Sequence, residues 1–194
     1  MCETEVSLEY GQRALLLRPG LIVGAQDPSD RFTYWVDRIA KGGTVLAPGD
    51  PNTGVQFIDG LSLARFTIQS LEQNLSGTYN LNGQAISMQQ VLETIGRVVG
   101  SQAKFVWADQ AFLEQHKVNP WMGADSLPLW IPDLDAMTDG TVIQAALKAG
   151  LEFRSLEATV QEVLEWSATR ENHTWRSGIS EEREAELLSL LEQK

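Results

Sequence analysis

Few residues in this sequence are able to act as nucleophiles, bases or metal ligands. It has one cysteine, Cys2, and two histidines, His116 and His173, which lie far apart along the chain. Protein zinc sites need three or four grouped ligands, most often cysteine and histidine. A cysteine in the first turn of a chain terminus is poorly placed to be held beside a base. We therefore predict no metal site, no catalytic cysteine, and surface positions for both histidines.

Glycine-rich turns that bind phosphate are also missing. Neither G-x-G-x-x-G nor the P-loop pattern occurs, and no G-x-S-x-G elbow marks a serine hydrolase. The first of these turns holds the pyrophosphate of a dinucleotide at the start of a helix. The sequence therefore lacks the phosphate-binding part of a Rossmann half.

The overall charge and composition argue against two classes of partner. The net charge is −11 over 194 residues, whereas binding to nucleic acid needs clustered basic residues. No apolar run approaches the roughly 18 residues of a membrane span, and the N-terminus does not resemble a secretory signal. A single cysteine fits a reducing compartment. We expect a cytoplasmic protein that binds a small molecule, with self-association left open, and a solvated acidic face near the C-terminus.

Apolar patterns predict strands that alternate with helices, which defines the α/β class. The run "RALLLR" is short and nearly continuous, as in a parallel strand covered on both faces. Further strands are predicted at "TVLAP", "VQFID", "GTYNL" and "AKFVWAD". Helices are predicted over 32–41, 61–74, 87–99, 110–117, 141–149, 156–170 and 181–192. The segment "NPWMGADSLPLWIPD" has no clear period and is expected to be an ordered irregular loop.

Three blocks in a fixed order carry a resemblance to a known family. They are "RPGLIVGAQDPSDRFTYW", "VLAPGDPNTGVQFIDGLSLA" and "GTYNLNG". Together they resemble the C-terminal portion of the extended short-chain dehydrogenase/reductase superfamily, and more narrowly its bacterial NAD-dependent epimerase/dehydratase or reductase proteins. The resemblance implies the C-terminal part of a Rossmann-like NAD(P)-binding fold, with a small mixed α/β substrate-binding subdomain.

The resemblance also implies what the chain does not carry. In the superfamily a tyrosine transfers the proton, and a lysine spaced Y-x-x-x-K from it on the same helix face lowers the tyrosine pKa together with the positive charge of the cofactor. The positions four residues after the three tyrosines hold Ala14, Arg38 and Gly83, so we predict no catalytic residue. The family's lysine would fall just upstream of Met1. We expect a fragment, a misplaced start or a truncated gene, which an in-frame upstream reading of the DNA would reveal.

The implied cofactor is NAD or NADP, with binding incomplete in this chain. In the family the segment after the first strand passes beside the nicotinamide, which assigns Pro19, Gly20, Leu21 and Ile22 to cofactor binding. The alternative is that Pro19 and Gly20 only form a tight turn. The nucleotide-sugar branch has asparagine in place of Leu21, so a less polar carbonyl or alcohol is the expected substrate.

The resemblance assigns Arg31, Trp35, Gln56 and Ile58 to substrate binding. Arg31 can pair with an anionic substrate group through its planar fork. The alternative is a local pair with a neighbouring aspartate, since positions 27 and 30 are both Asp.

Two further features of the substrate side stay open. Ser62 stands where the family has aspartate, which suggests relaxed constraint at that helix start. The tryptophan-rich loop with Trp121, Leu129 and Trp130 is either a lid over the cleft or an apolar plug.

The predicted organisation has three parts. Residues 1–30 form the last part of the Rossmann-like core, and residues 31–175 form mostly the substrate-binding subdomain, with core elements returning near 55–82. Residues 176–194 form an acidic amphipathic C-terminal helix. The function expected is the substrate-binding half of an NAD(P)-dependent oxidoreductase or epimerase, inactive as this chain alone. The alternative is a non-catalytic binding or regulatory module derived from that fold.

Overall fold

The computed structural model describes residues 2–132, 143–171 and 174–193. The helices are α1 (Cys2–Tyr10), α2 (Thr33–Ala40), α3 (Gly60–Glu72), α4 (Met88–Val98), α5 (Gln110–Gln115), α6 (Gln144–Lys148), α7 (Leu156–Ser167) and α8 (Glu181–Glu192). The strands are β1 (Leu15–Pro19), β2 (Ile22–Val23), β3 (Thr44–Pro48), β4 (Gly54–Val55), β5 (Ile58–Asp59), β6 (Gly77–Leu81), β7 (Ile86–Ser87), β8 (Lys104–Ala108), β9 (Asn119–Trp121) and β10 (Ser126–Pro128). Part of the helix predicted over 141–149, with residues 141 and 142, lies outside the described residues.

Short polar side chains fix where most of the longer helices begin. The side chains of Asp59, Ser87, Asp109, Ser155 and Ser180 accept backbone N–H bonds at the starts of α3, α4, α5, α7 and α8. Each satisfies N–H groups that have no partner within the first helical turn. The helix starts predicted from the sequence therefore lie within one residue of the observed ones for these five helices.

Two five-residue pairs of parallel strands form the framework. Strand β1 pairs with β6 from Leu15 opposite Gly77 to Pro19 opposite Leu81, and β3 pairs with β8 from Thr44 opposite Lys104 to Pro48 opposite Ala108. Shorter pairs are β2–β5 and β9–β10, both parallel, and β4–β7, which is antiparallel. Parallel strands joined through helices confirm the predicted α/β class.

Two separate hydrophobic clusters lie under these strands. The larger one contains α2, β3, α4, α7 and α8 and is centred on residues such as Trp35, Leu46 and Ile95, which are fully buried. The smaller one lies beside β6 and α3, and its buried members are Ile58, Phe66, Leu81, Ala146 and Leu151. The division of the chain into three parts at residues 30 and 175 stays a prediction.

Burial of β1 differs from the sequence expectation. The run "RALLLR" was expected to be covered on both faces, yet Leu15, Leu16 and Leu17 are only partly buried, and Arg18 and Pro19 are exposed. In the described chain its hydrogen-bonded neighbour is β6 alone. The apolar run therefore correctly predicted a parallel strand. The prediction that both faces of this strand are covered was wrong.

The tryptophan-rich segment is ordered, and it contains the short strands β9 and β10, which the sequence did not predict. Leu127, Leu129 and Trp130 are buried in the larger cluster, and the carbonyl of Pro128 accepts the indole N–H of Trp35 at 2.8 Å. Side chains packed this way fill the interior of the larger cluster, which favours the plug over the lid. Residue 133 of this segment lies outside the described residues.

The acidic C-terminal helix α8 is not purely a solvated face. Glu184 is 3% exposed, and its carboxylate accepts hydrogen bonds from Arg38 and from the Leu46 N–H. Arg38 also donates to the carbonyls of Gly42 and Thr44. A buried carboxylate needs such partners to offset its lost hydration, and here they attach α8 to the start of β3. Within the described ranges, no helix combines the length and apolar character that a membrane span requires.

Candidate functional site

The carboxyl ends of β1 and β6 meet at the segment predicted to contact a nicotinamide. Gly20 follows β1, and its N–H donates to the carbonyl of Leu81 at 3.1 Å. The next residue after β6 is Asn82, whose side chain lies directly against Gly20. A Cβ placed on Gly20 would fall 2.0 Å from Asn82 Oδ1. Only glycine fits at position 20 while the Asn82 amide keeps this place.

A third segment crosses the same point. The Ile58 N–H donates to the carbonyl of Leu21 at 2.8 Å. The side chain of Gln56 donates to the Gly83 carbonyl at 3.4 Å and accepts from Asn82 Nδ2 at 3.5 Å. Segments 19–22, 56–58 and 81–83 therefore converge, and we call this region the strand-end crossing.

Backbone contact at the strand-end crossing is close as well. A Cβ placed on Gly83 would lie 2.1 Å from the carbonyl oxygen of Phe57. Real side chains do not occupy such a distance, so the chain needs glycine here for two backbones to approach. The absence of side chains at Gly20 and Gly83 thus allows the three segments to approach closely enough for the amides of Asn82 and Gln56 to meet.

Asn82 Oδ1 is the unusual atom of this region. It is buried and has no hydrogen-bond partner among the described residues. An unsatisfied buried acceptor costs on the order of 1–3 kcal/mol, and its presence in a folded protein calls for an explanation. A ligand N–H or O–H at this point would satisfy it. Sequence analysis missed Asn82, because asparagine followed by glycine indicates only a turn.

The four residues predicted to bind a cofactor are brought together with two predicted for substrate. Pro19, Gly20 and Ile22 are exposed at the strand-end crossing, and Leu21 is buried. Leu21 belongs to the larger hydrophobic cluster, so the position where the family has asparagine carries a core side chain here. Gln56 is partly buried beside them, whereas the side chain of Ile58 belongs to the smaller cluster.

Arg31 does not make the local aspartate pair considered above. Its guanidinium carbon lies 4.6 Å from the centre of the Trp121 ring, and its Nε donates to Ser29 Oγ at 3.0 Å. Asp30 instead binds Arg170, with its Oδ1 2.6 Å from Arg170 Nη1. Burial lowers the pKa of Arg31, and the charge of Asp27 opposes that shift.

Trp35 is not available to a ligand in this structure. Its side chain is fully buried, its N–H is bound to the Pro128 carbonyl, and its ring makes an edge contact with Tyr34 at 5.0 Å between centres. The prediction that Trp35 contacts substrate is therefore corrected to a core role. This packing removes its large apolar surface from water.

Ser62 is also explained by the structure. It is 1% exposed, and its hydroxyl accepts the Arg154 N–H at 3.0 Å. Asp59 caps the same helix and pairs with Arg154 Nη1 at 3.1 Å. Position 62 thus joins α3 to the chain before α7, and the inference of relaxed constraint there is wrong.

The three tyrosines have other surroundings than a catalytic pair would give. Tyr34 is fully buried, and burial raises its pKa. The Tyr79 hydroxyl donates to the Ser76 carbonyl at 3.2 Å. The Arg13 guanidinium lies 5.9 Å from the centre of the Tyr10 ring.

Of the two histidines predicted to lie at the surface, His116 packs on Phe112, and His173 lies outside the described residues.

A separate groove lies between the end of α2, the end of α7 and the start of α8. Its volume is about 750 Å³. Four of the charged residues along it form two ion pairs: Lys41 with Glu181, and Arg183 with Asp125. The Trp175 indole donates to Asp37 at 2.9 Å. Such mutual pairing builds the wall of the groove rather than a recognition group for a ligand.

The fold is shared with solved structures of two UDP-N-acetylglucosamine 4-epimerases and of RMD. UDP-N-acetylglucosamine 4-epimerase from Methanobrevibacter ruminantium M1, in complex with UDP-N-acetylmuramic acid, matches with a TM-score of 0.59 and 18% identity, over 87% of this chain and 51% of that chain. UDP-N-acetylglucosamine 4-epimerase from Bacillus cereus matches with a TM-score of 0.57 and 14% identity, over 89% and 52%. RMD from Pseudomonas aeruginosa complexed with NADPH matches with a TM-score of 0.56 and 13% identity, over 87% and 52%.

No protein-family model matches the chain, and no curated protein matches its sequence. The chain spans about half the length of the solved structures that it resembles. At 13–18% identity, this likeness establishes the fold. The predicted fold class is confirmed: the chain has a Rossmann-like α/β fold, which it shares with these structures over about half of their length.

Proposed function

We propose that this chain forms the nicotinamide-side and substrate-binding half of an NAD(P)-dependent oxidoreductase or epimerase. The observation that carries the proposal is the strand-end crossing with the unpartnered, buried Asn82 Oδ1. In open α/β sheets, ligands bind outside the carboxyl ends of the strands, which is where this atom lies. The bound NADPH named for the RMD structure supports the choice of ligand.

The residues at the strand-end crossing fit the ring end of such a cofactor. Asn82 Oδ1 is an acceptor suited to a carboxamide N–H, and Gly20 keeps side-chain atoms out of the approach. Ile22 adds an exposed apolar surface, 40% accessible. The bound cofactor would supply hydride transfer, while these residues would hold and orient its ring.

The same fit does not extend to the phosphates. The sequence has no glycine-rich phosphate turn and no Y-x-x-x-K pair, so proton transfer and tight dinucleotide binding need groups that this sequence does not supply. We therefore expect no turnover by the 194-residue chain alone. A cytoplasmic location stays a prediction supported by the single cysteine.

Ligand titration by NMR tests the proposal without requiring turnover. Nicotinamide riboside and adenosine are the two ends of NAD without its phosphates. We expect nicotinamide riboside at millimolar concentration to shift the amide signals of Gly20, Leu21, Asn82 and Gly83, and adenosine to leave them unchanged. Asn82→Ala should remove these shifts.

A matched control is Asn52→Ala, because Asn52 lies in an exposed turn bonded to Asp50. That variant should respond to nicotinamide riboside like the unchanged chain. The proposal fails if nicotinamide riboside shifts none of the strand-end signals, or if Asn82→Ala responds as strongly as the unchanged protein.

The non-catalytic module remains a second candidate, favoured by the surroundings of the three tyrosines. Tyr34 is buried in the core, and the hydroxyl of Tyr79 is bound to a backbone carbonyl. A module of this kind would keep the ring-binding site and lose only the chemistry. Turnover of any carbonyl substrate with NADH or NADPH by the purified chain would exclude it, and would equally contradict the absence of turnover expected above.

A further inference from the structure

Asp59 is a buried carboxylate, 7% exposed, that four hydrogen-bond donors share. Its Oδ1 accepts the backbone N–H groups of Leu61 and Ser62 at 2.9 and 3.1 Å. Its Oδ2 accepts from Thr159 Oγ1 at 2.8 Å and from Arg154 Nη1 at 3.1 Å. Capping of α3 uses only the first oxygen. The second oxygen therefore makes contacts that a helix cap does not require.

The contacts of Asp59 Oδ2 attach β5 to α7. Thr159 lies in α7 and Arg154 just before it, 100 and 95 residues after Asp59 along the chain. Arg154 is also bound by Glu162 of α7, and this hydrogen bond is the main reason that the pKa of Arg154 is raised. Because the guanidinium is already fixed to α7, its position determines where the Asp59 carboxylate is held.

Strand β5 extends this attachment to the strand-end crossing. Asp59 is its last residue, and the carbonyl of Phe57, just before the strand, lies against Gly83. Gln56, the residue before Phe57, accepts a hydrogen bond from the Asn82 amide. Asp59 is thus three residues from Gln56 on one short segment, so a shift of β5 displaces the Gln56 amide as well.

Side-chain packing does not replace this polar attachment. A cavity of about 160 Å³ is lined by Phe57 and Gly83 of the strand-end crossing and also by Asp59, Arg154 and Thr159. A cavity wall lacks the packed neighbouring atoms that resist movement elsewhere in a protein interior. Hydrogen bonds of Asp59, rather than packing, therefore hold β5 at this point.

We propose that Asp59 is a positioning residue for the strand-end crossing. By attaching β5 to α7, it places the Gln56 amide where it meets Asn82 and leaves Asn82 Oδ1 free for the ligand. This inference rests on the proposed function for its ligand, whereas the placement of the two amides is a property of the free protein. The ligand site is thereby extended to contacts made by α7.

Asp59→Asn tests this role, because it keeps an oxygen for the α3 cap and turns an N–H group toward the Arg154 guanidinium, where two donors cannot bond. In NMR spectra of the free protein, the side-chain amide signals of Gln56 and Asn82 should shift, while the backbone signals at the start of α3 stay in place. The Ile58 amide should exchange with solvent about tenfold faster. Affinity for nicotinamide riboside should fall roughly twofold to thirtyfold.

A second substitution separates positioning from a general loss of stability. Adding Arg154→Met to Asp59→Asn removes the opposing donor and should return the Gln56 and Asn82 signals most of the way to their original positions. The double variant has lost more hydrogen bonds than the single one, so lower stability alone would move the signals further. Ser180→Ala is the matched control, because it removes the cap of α8 and should change neither the signals nor the affinity.

The free protein and the titration give separate outcomes. If Asp59→Asn does not fold, Thr159→Val removes one donor to Asp59 Oδ2 and should shift the same signals by a smaller amount. The inference is overturned if the Gln56 and Asn82 signals stay in place in the folded variants, or if Asp59→Asn binds nicotinamide riboside as tightly as the unchanged protein. If the unchanged protein does not bind nicotinamide riboside, the proposed function fails, and the signals of the free protein still decide the role of Asp59.

Discussion

The β1–β6 and β3–β8 pairs have the same length and direction but very different surroundings. Four of the five β3 residues are buried, whereas β1 has none. Helices α2 and α8 and the tryptophan-rich segment cover the β3–β8 region, and its cluster is several times larger than the one beside β6. The comparison shows that burial is concentrated in one region, while the sparsely covered strand pair ends at the unsatisfied Asn82 Oδ1. Two further buried oxygens without a partner among the described residues, Thr33 Oγ1 and the Tyr34 hydroxyl, lie in α2 of the well-covered region.

This division fits a general property of binding proteins. Ligand-contacting segments are generally drawn from the less stable parts of a structure. Asn82 Oδ1 lies at the end of the sparsely covered pair. Arg31 lies at the border of the two regions, next to the Phe32–Phe57 contact.

The largest expected effect comes from breaking the buried ion pair of the well-covered region. Glu184→Ala would leave the guanidinium of Arg38 and the N–H of Leu46 without their carboxylate. We expect the free energy of unfolding to fall by about 3–5 kcal/mol, measured by urea unfolding. Glu157→Ala, which breaks the exposed pair with Arg97, should cost below about 1 kcal/mol. Equal losses in both variants would contradict the assignment of α8 as a core element.

Matched truncations in the two strand pairs measure the difference directly. Leu46 and Leu17 are both third in their strands, opposite Val106 and Tyr79. Leu46 is fully buried and Leu17 only partly. Leu46→Ala should cost about 2–5 kcal/mol, and Leu17→Ala roughly half as much, since less surface is removed from water. Unfolding midpoints and slopes in urea check both values, and a larger cost at Leu17 would reverse the comparison.

Local signals allowed much of the fold to be predicted from the sequence. "TVLAP" and "GTYNL" coincide with β3 and β6, and α8 begins and ends where its pattern predicts. These elements are bounded by glycine, proline or a capping serine, which act within a few residues. The coverage of β1 was not predictable, because it depends on what packs against the strand from elsewhere in the chain.

The candidate site was predictable only in part. The resemblance selected positions 19–22 and Gln56, which the structure brings together, but Asn82 carries no sequence signal of its own. Its importance comes from a contact with Gly20, 62 residues away along the chain, and from an oxygen without a partner. Trp35 was misassigned because a tryptophan beside a cleft segment cannot be told from a core tryptophan without its packing.

Alanine substitutions at two glycines test the same comparison and should change the free energy of unfolding by smaller amounts. At Gly83 a Cβ would meet the Phe57 carbonyl, so Gly83→Ala must move backbone and should cost about 1–3 kcal/mol. At Gly96 in α4 a Cβ would lie 3.8 Å from Ile39, an ordinary contact. Gly96→Ala should therefore raise the free energy of unfolding by about 0.4–1 kcal/mol, because alanine favours the helix. Calorimetric unfolding checks both signs.

The smallest effect on stability, and the clearest on solution behaviour, is expected on the outer face of α3. Leu61, Ile68 and Leu71 recur there at helical spacing and are 44%, 58% and 65% exposed. A contiguous exposed apolar surface promotes association or dye binding. Replacing Ile68 and Leu71 together by lysine should change the free energy of unfolding by no more than about 0.5 kcal/mol, because neither side chain is buried. It should nevertheless reduce the binding of an apolar dye and any self-association seen by sedimentation.

Leu8→Lys is the matched control, since Leu8 is 76% exposed on α1, outside this stripe. If dye binding persists in the double variant, or falls as much in Leu8→Lys, then the exposed face of α3 is not the surface that causes dye binding or association.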